Sequence, residues 1–150
     1  MESTITTVPT ARTIDLRWRV LRANQPRDAC AYPGDDAPET FHLAALVDDE
    51  VVSVASFYAE PHPEVVGLAP YRLRGMATAP ELRGRGLGTE LVRRGLMALT
   101  SRGADVLWCN ARIGAVPFYE RLGFARQGEV FELPMIGPHY VMSVRLPPEG

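Results

Sequence analysis

The chain has 150 residues, of which 46% are hydrophobic and 23% charged, with a formal net charge of -2 at pH 7. That balance describes one folded domain over residues 1–150, large enough to bury a core without disulfides or metal, and it excludes a disordered tail. The charge excludes a global basic field for nucleic acid or an anionic membrane. No apolar run approaches the ~20 residues needed to span a bilayer, and the opening residues lack a leader pattern, so a cytoplasmic protein is expected.

In chain order, residues 5–8 read as a short first strand. Pro9 and Thr10 offer a helix start with Thr10 as N-cap, and Ile14, Trp18 and Leu21 follow at helical spacing with Arg17, Arg19 and Arg22 interleaved. Residues 24–39 are rich in Pro, Gly, Asp and Ala and read as a long loop, functional or mobile. Residues 40–47 and 51–59 are β-like runs joined by Asp48, Asp49 and Glu50, a hairpin closed by Pro61 and Pro63. Residues 71–78 form a third candidate strand, with Gly75 marking a bulge or a close backbone approach.

A Gly-rich turn then runs into an amphipathic helix with Leu87, Leu91, Leu96 and Leu99 on its apolar face and Gly103 as its stop. Residues 106–109 are a short apolar strand, 114–122 a second helix ended by Gly123, and 124–133 and 140–146 two closing strands split by Pro134 to His139. The resulting fold class is α/β: a mixed, mostly antiparallel sheet flanked by helices, with one β-α-β crossover.

The turn Arg83-Gly84-Arg85-Gly86-Leu87-Gly88 lies between a strand and a helix. Glycines permit positive φ and close ligand approach, and a helix start offers unpaired N–H groups and a positive dipole end, so the turn suits a phosphate or pyrophosphate. All 16 basic residues are Arg. The missing Lys excludes both a Walker A loop and a Lys nucleophile, and the glycine spacing does not complete a dinucleotide-binding G-x-G-x-x-G. Cys30 and Cys109 are too few for a disulfide framework and have no metal-ligand company, so no metal is expected.

Arg83-x-x-Gly86-x-Gly88, preceded by M-A-T-A-P-E-L, resembles the R/Q-x-x-G-x-G/A signature of the GNAT acetyltransferase superfamily. About thirty residues on, A-V-P-F-Y-E-R-L-G-F resembles that family's second hallmark, and the likeness covers residues 71 to 125. The resemblance implies a sheet splayed to admit coenzyme A. Backbone groups of Met76, Ala77 and Thr78 would pair with the pantetheine, and the amides of Arg83, Gly84, Arg85, Gly86, Leu87, Gly88 and Thr89 would hold the pyrophosphate. An N–H near Met76, turned out by a bulge at Gly75, would polarise the thioester carbonyl. Tyr119 occupies the general-acid position. Many members carry a cofactor-contacting Asn where this chain has Arg112; Asn110 lies two positions earlier and is assigned that contact, with Arg112 left open.

Glu60 is the first candidate for the base, with His42, His62, Glu132, His139 or a water relay as alternatives. Arg72 and Arg74 alternate with Tyr71 and Leu73 and share one face: if it is the acceptor cleft they would, with His42, meet the acceptor and predict a carboxylate or phosphate on it, and if it is solvent they predict nothing. Cys109 reads as a buried core thiol. The expected activity is direct acetyl transfer from acetyl-CoA to a small-molecule primary amine, with the 24–39 loop covering the acceptor. A non-catalytic acyl-CoA-binding module and an acetyltransferase for protein amines stand as alternatives, and monomer and homodimer are both open.

Overall fold

The computed structural model describes residues 2–148. Seven strands form one sheet in the order β1-β2-β3-β4-β5-β7-β6. They are β1 (Thr4–Val8), β2 (Phe41–Val47), β3 (Glu50–Ala59), β4 (Pro70–Thr78), β5 (Val106–Arg112), β6 (Ala125–Leu133) and β7 (Gly137–Arg145). β1 with β2, β2 with β3, β5 with β7 and β6 with β7 pair antiparallel. β4 with β5 is parallel over three residue pairs, Pro70–Val106, Tyr71–Leu107 and Arg72–Trp108. The chain joins these two strands through α2 (Leu87–Ser101), the expected crossover. A parallel pair needs such a connection because the chain must return to its starting edge.

By compactness the chain divides into two units, the first comprising residues up to 58 and 73–95, the second 59–72 and 96 onward. In the first, Asp48 and Asp49 both have positive φ, 51° and 64°, and Val47 pairs with Glu50. The β2–β3 turn is therefore a two-residue loop whose mirror-type geometry matches strand twist, and Glu50 belongs to β3 rather than to the turn. Ala44, Ala45, Val52, Val54, Ala77, Ala79 and Leu87 are buried in one apolar cluster with Val8 and Leu16. The middle of α2 packs so tightly that a Cβ at Gly95 would collide with the Phe57 ring, which stacks on Phe41 at 4.8 Å.

The expected first helix is replaced by three short pieces. A 3-10 turn at Thr10–Arg12 leads into α1 (Ile14–Leu16), and a wide π-type turn at Arg17–Leu21 follows. Thr10 is not an N-cap: it lies inside the first turn, and its hydroxyl donates to Asp36 Oδ1 at 2.7 Å and lies 3.1 Å from His42 Nε2. Tertiary partners outcompete the local cap. The 24–39 segment also departs from a mobile loop, because it contains a 3-10 turn at Arg27–Cys30 and buries Cys30, Tyr32 and Asp35.

Those residues close around Arg17, which is fully buried although the sequence pattern interleaves it as a polar position. Its Nη1 donates to Asp35 Oδ2 at 2.8 Å and to the Cys30 carbonyl at 2.9 Å. Its Nη2 donates to Asp35 Oδ1 at 3.0 Å, Ser56 Oγ at 2.8 Å and Tyr58 Oη at 3.1 Å. Burial alone would push the Asp35 carboxyl up, but hydrogen bonds from Arg17, Tyr58 and the Tyr32 N–H outweigh it and hold the carboxyl below its ordinary range. Burial, and then the hydrogen bond to Asp35, push the Tyr58 phenol up.

In the second unit β5 runs to Arg112, three residues past the expected 106–109, because β7 pairs with it throughout, Val106 opposite Arg145 and Arg112 opposite His139. β7 likewise begins at Gly137 rather than at residue 140: Leu133 pairs with Gly137, so the break between the last two strands is a tight turn with Met135 at φ 67°. A 3-10 turn, Ile113–Ala115, precedes α3 (Val116–Arg121), and Gly123 at φ 93° ends it. Edge strand β6 is bulged between Gln127 and Phe131, with Gly128 at φ 73°.

The buried ion pair makes acid stability testable. Because the folded state holds Asp35 below the unfolded carboxyl value of about 3.9, its contribution is fully present above that value and is lost as the pH falls through the depressed folded one. Asp35→Asn should cost about 3–5 kcal/mol near neutral pH by leaving Arg17 uncompensated, and the gap from wild type in urea melts should close on acidification.

Candidate active site

β4 ends at Thr78, whose Oγ1 lies 2.8 Å from Ser53 Oγ, and the Ala79 N–H donates to the Val52 carbonyl at 2.8 Å. Pro80 opens a 3-10 turn, Pro80–Leu82, that redirects the chain away from the sheet. Arg83, Gly84, Arg85 and Gly86 are exposed, and Gly84 and Gly86 have φ of 79° and 78°, a conformation that side-chain-bearing residues rarely adopt. A Cβ at either glycine would meet nothing within 4 Å, so the space before both is open.

Leu87, buried in the apolar cluster, anchors the first residue of α2. The Glu90 N–H donates to the Gly86 carbonyl at 3.1 Å. The amides of Leu87, Gly88 and Thr89 therefore precede the helix's own acceptors and project at its positive end. Exposed guanidinium groups at Arg83 and Arg85, open space at two glycines and first-turn amides fit a pyrophosphate without requiring a side chain to move.

In the same unit, Ala77 is buried in the core, and Met76 and Thr78 are partly exposed. Gly75 has φ 68°, so β4 turns irregularly immediately before Met76. A Cβ there would press on Arg17 Nε and Tyr32 Cε2, both at 3.2 Å. Arg74 lies over the Tyr32 ring, 4.1 Å from guanidinium carbon to centroid. His42 is buried: its Nε2 donates to the Asp35 carbonyl at 3.0 Å, and its Nδ1 lies 2.6 Å from Ser56 Oγ. Both ring nitrogens are thus engaged inside the protein, so His42 serves the Arg17 network and is not presented to an acceptor.

In the second unit, Tyr119 on α3 is buried between Phe118 and Phe124, both edge-on at 5.1 and 5.3 Å. Its hydroxyl hydrogen-bonds the Cys109 thiol of β5. Burial, and then Cys109, push the phenol well above its ordinary value, so Tyr119 holds its proton at neutral pH. Burial likewise raises the Cys109 thiol, which is an inert partner rather than a nucleophile.

Arg72 donates from Nη1 to Glu60 Oε2 at 3.0 Å and lies over the Trp108 ring at 5.0 Å. Trp108 Nε1 donates to the Glu60 carbonyl at 2.8 Å, so two bonds hold the residue that sequence reading put first as base. Arg72 and Arg74, expected to act together, have different environments, one on Glu60 and Trp108 and the other on Tyr32. Asn110 has a buried side-chain Oδ1 with no hydrogen-bond partner, and Arg112 is exposed. Among the other base candidates, His62 accepts the Glu64 N–H at Nδ1 and its ring lies 4.8 Å from that of Trp108. His139 is buried and donates from Nδ1 to the Gly137 carbonyl at 2.7 Å, while Glu132 is exposed on β6.

Sequence reading missed Arg17, Tyr32, Asp35, Ser56 and Tyr58. Arg17 lies three residues after Ile14 and one before Trp18, at the border of the apolar face among the interleaved arginines, and that placement was the available signal. Among the described residues no group of three or more His, Cys, Asp or Glu is placed to hold a metal ion, and no helix is long and apolar enough to cross a membrane.

A protein-family model described as the acetyltransferase (GNAT) family matches residues 10–124. The uncharacterized N-acetyltransferase YitI of Bacillus subtilis (strain 168) is 36% identical over 138 residues, covering 92% of this chain and 93% of its own. Among solved structures, an aminoglycoside 6'-N-acetyltransferase complexed with coenzyme A aligns with a TM-score of 0.76 at 16% identity, covering 98% of this chain and 99% of its own. The ribosomal-protein-S18-alanine N-acetyltransferase of Escherichia coli aligns with a TM-score of 0.77 at 18% identity, covering 99% of this chain and 97% of its own. At those identities the two structures share the fold, while the family model and the YitI match establish descent. The chain belongs to the acetyltransferase (GNAT) family.

Proposed function

We propose that this enzyme transfers an acetyl group from acetyl-CoA directly to the primary amine of a small molecule. The observation that carries the reading is the turn before α2: the first-turn amides of Leu87, Gly88 and Thr89 with open space at Gly84 and Gly86. An anion held there is bound by the main chain, which fits the pyrophosphate of a nucleotide-linked donor. In this assignment Met76, Ala77 and Thr78 offer backbone groups to the pantetheine, and Asn110, whose Oδ1 has no hydrogen-bond partner, is assigned a cofactor contact.

Acetyl-CoA supplies an activated acyl group as a thioester. The protein's own part is to stabilise charge and move protons. The positive φ at Gly75 supports a redirected amide at Met76 as the donor to the acyl oxygen, and one such donor contributes about 2.7–4 kcal/mol where charge develops. Tyr119, protonated and shielded, is assigned the acid that returns a proton to the departing sulfur. Glu60, oriented by Arg72 and with its carboxylate partly exposed, is assigned the proton acceptor for the amine. The small-molecule acceptor is supported by the ordered 24–39 segment, which contributes buried side chains beside β4.

Three outcomes test these roles. Acetyl-CoA at 100 times its dissociation constant should add about 2.7 kcal/mol to wild-type stability in thermal melts, and Gly86→Val should abolish that gain; a variant stabilised like wild type contradicts the turn assignment. Tyr119→Phe should lower kcat roughly 10²–10⁴-fold with acetyl-CoA affinity unchanged by calorimetry. Glu60→Gln should lower kcat/KM roughly 10²–10⁴-fold in steady-state assays, and an unaltered kcat/KM removes Glu60 from the role.

A further inference from the structure

Glu60, assigned the amine's proton, stands one position past the end of β3 and directly before Pro61. The proline ring biases Glu60 towards extended backbone but leaves the direction of its side chain open. That direction is set from β5. Trp108 Nε1 donates to the Glu60 carbonyl at 2.8 Å, and the Arg72 guanidinium lies over the Trp108 ring, 5.0 Å from carbon to centroid. Arg72 Nη1 in turn donates to Glu60 Oε2 at 3.0 Å. One indole therefore reaches Glu60 twice, at its main chain directly and at its carboxylate through an arginine.

The indole is a fixed platform for this. Trp108 is buried with Val65, Val106 and Val141, Phe131 packs against the same cluster, and the His62 ring lies 4.8 Å from that of Trp108. Arg72 and Trp108 stand opposite each other as the third of the three parallel β4–β5 pairs, so the register of the sheet sets the guanidinium over the ring. Arg72 Nε is buried without a hydrogen-bond partner, which leaves the Glu60 carboxylate and the indole face to locate the guanidinium. Tryptophan combines an apolar body whose face attracts a cation with an N–H donor at its rim. Packing requires only the body; here the donor is directed to the main chain of the assigned base. The Glu60 side chain is still 41% exposed, so it is held without being sealed.

We infer that Trp108 is a positioning residue for Glu60: its N–H fixes the main chain of the proton acceptor, and its ring fixes the arginine that orients the carboxylate. The inference rests on the transferase reading, in which the proton released by the amine passes to Glu60. A reacting group displaced by about 1 Å can cost roughly 10²-fold in rate, so a base needs this kind of support.

The test is a double-mutant cycle on the full chain, with coenzyme A thiol release from acetyl-CoA followed over a panel of small primary amines. Trp108→Phe keeps an aromatic ring beneath Arg72 and removes the N–H. It should lower kcat/KM for the best-used amine about 10–10²-fold, mainly through kcat, with wild-type affinity for coenzyme A by calorimetry. In a Glu60→Gln background the same substitution should change kcat/KM by less than about twofold, because a residue acting through Glu60 then has nothing left to position. Equal losses in both backgrounds mark a structural role only and overturn the inference. Should Trp108→Phe fail to fold, benzothienylalanine inserted at position 108 keeps the shape of the indole, replaces its N–H by sulfur and serves the same comparison. If Glu60→Gln alone matches wild type, the base assignment fails and the positioning role fails with it. If Glu60→Gln is slow while Trp108→Phe is not, the positioning role alone fails. Wild type that releases no thiol with any amine overturns both.

Discussion

The two-pronged pair between Arg17 and Asp35 holds together a part of the chain that backbone hydrogen bonding leaves open. From the end of β1 to the start of β2 the polypeptide has only short turns, and no ladder fixes its course. Arg17 joins the π-type turn to the Cys30 carbonyl, to Asp35 and, through Ser56 and Tyr58, to β3. A buried guanidinium tolerates few arrangements because each donor left without an acceptor is costly at low dielectric. That intolerance converts a weakly structured segment into a defined one, and the same side chain then occupies the space a residue larger than glycine would need at position 75.

The positive φ at Gly75 is thereby shielded from substitution on two grounds, backbone conformation and lack of room. The turn before α2 shows the opposite situation. Gly84 and Gly86 have unoccupied space around the position of a Cβ, so nothing in the protein's packing requires glycine there. The requirement is conformational, since both glycines have positive φ on an exposed turn.

Two ionisable side chains of the second unit, Tyr119 and Glu60, lie in different surroundings. Tyr119 lies among aromatic rings with a thiol as hydrogen-bond partner, an environment that stabilises the neutral phenol. Glu60 is partly exposed, with Arg72 Nη1 at 3.0 Å from its Oε2. On the outer edge, the bulge and charged residues of β6 oppose pairing with a further strand.

The sequence determined the strand order along the chain, the hairpin, the crossover helix and the Gly-rich turn, because each is written in local chemistry. Alternating β-branched residues, a two-Asp turn, leucines at helical spacing and glycines at fixed offsets act within a few residues of one another. The helix that carries Tyr119 was legible for the same reason, inside a short motif. Tertiary structure alone decided that Arg17 is buried, that Thr10 and His42 look inward, that Arg72 and Arg74 part company, and that β5 and β7 extend beyond their apolar runs. Those outcomes depend on partners dozens of residues away: an arginine's sequence neighbourhood does not say whether a carboxylate will meet it, and a strand's length is set by the neighbour that pairs with it.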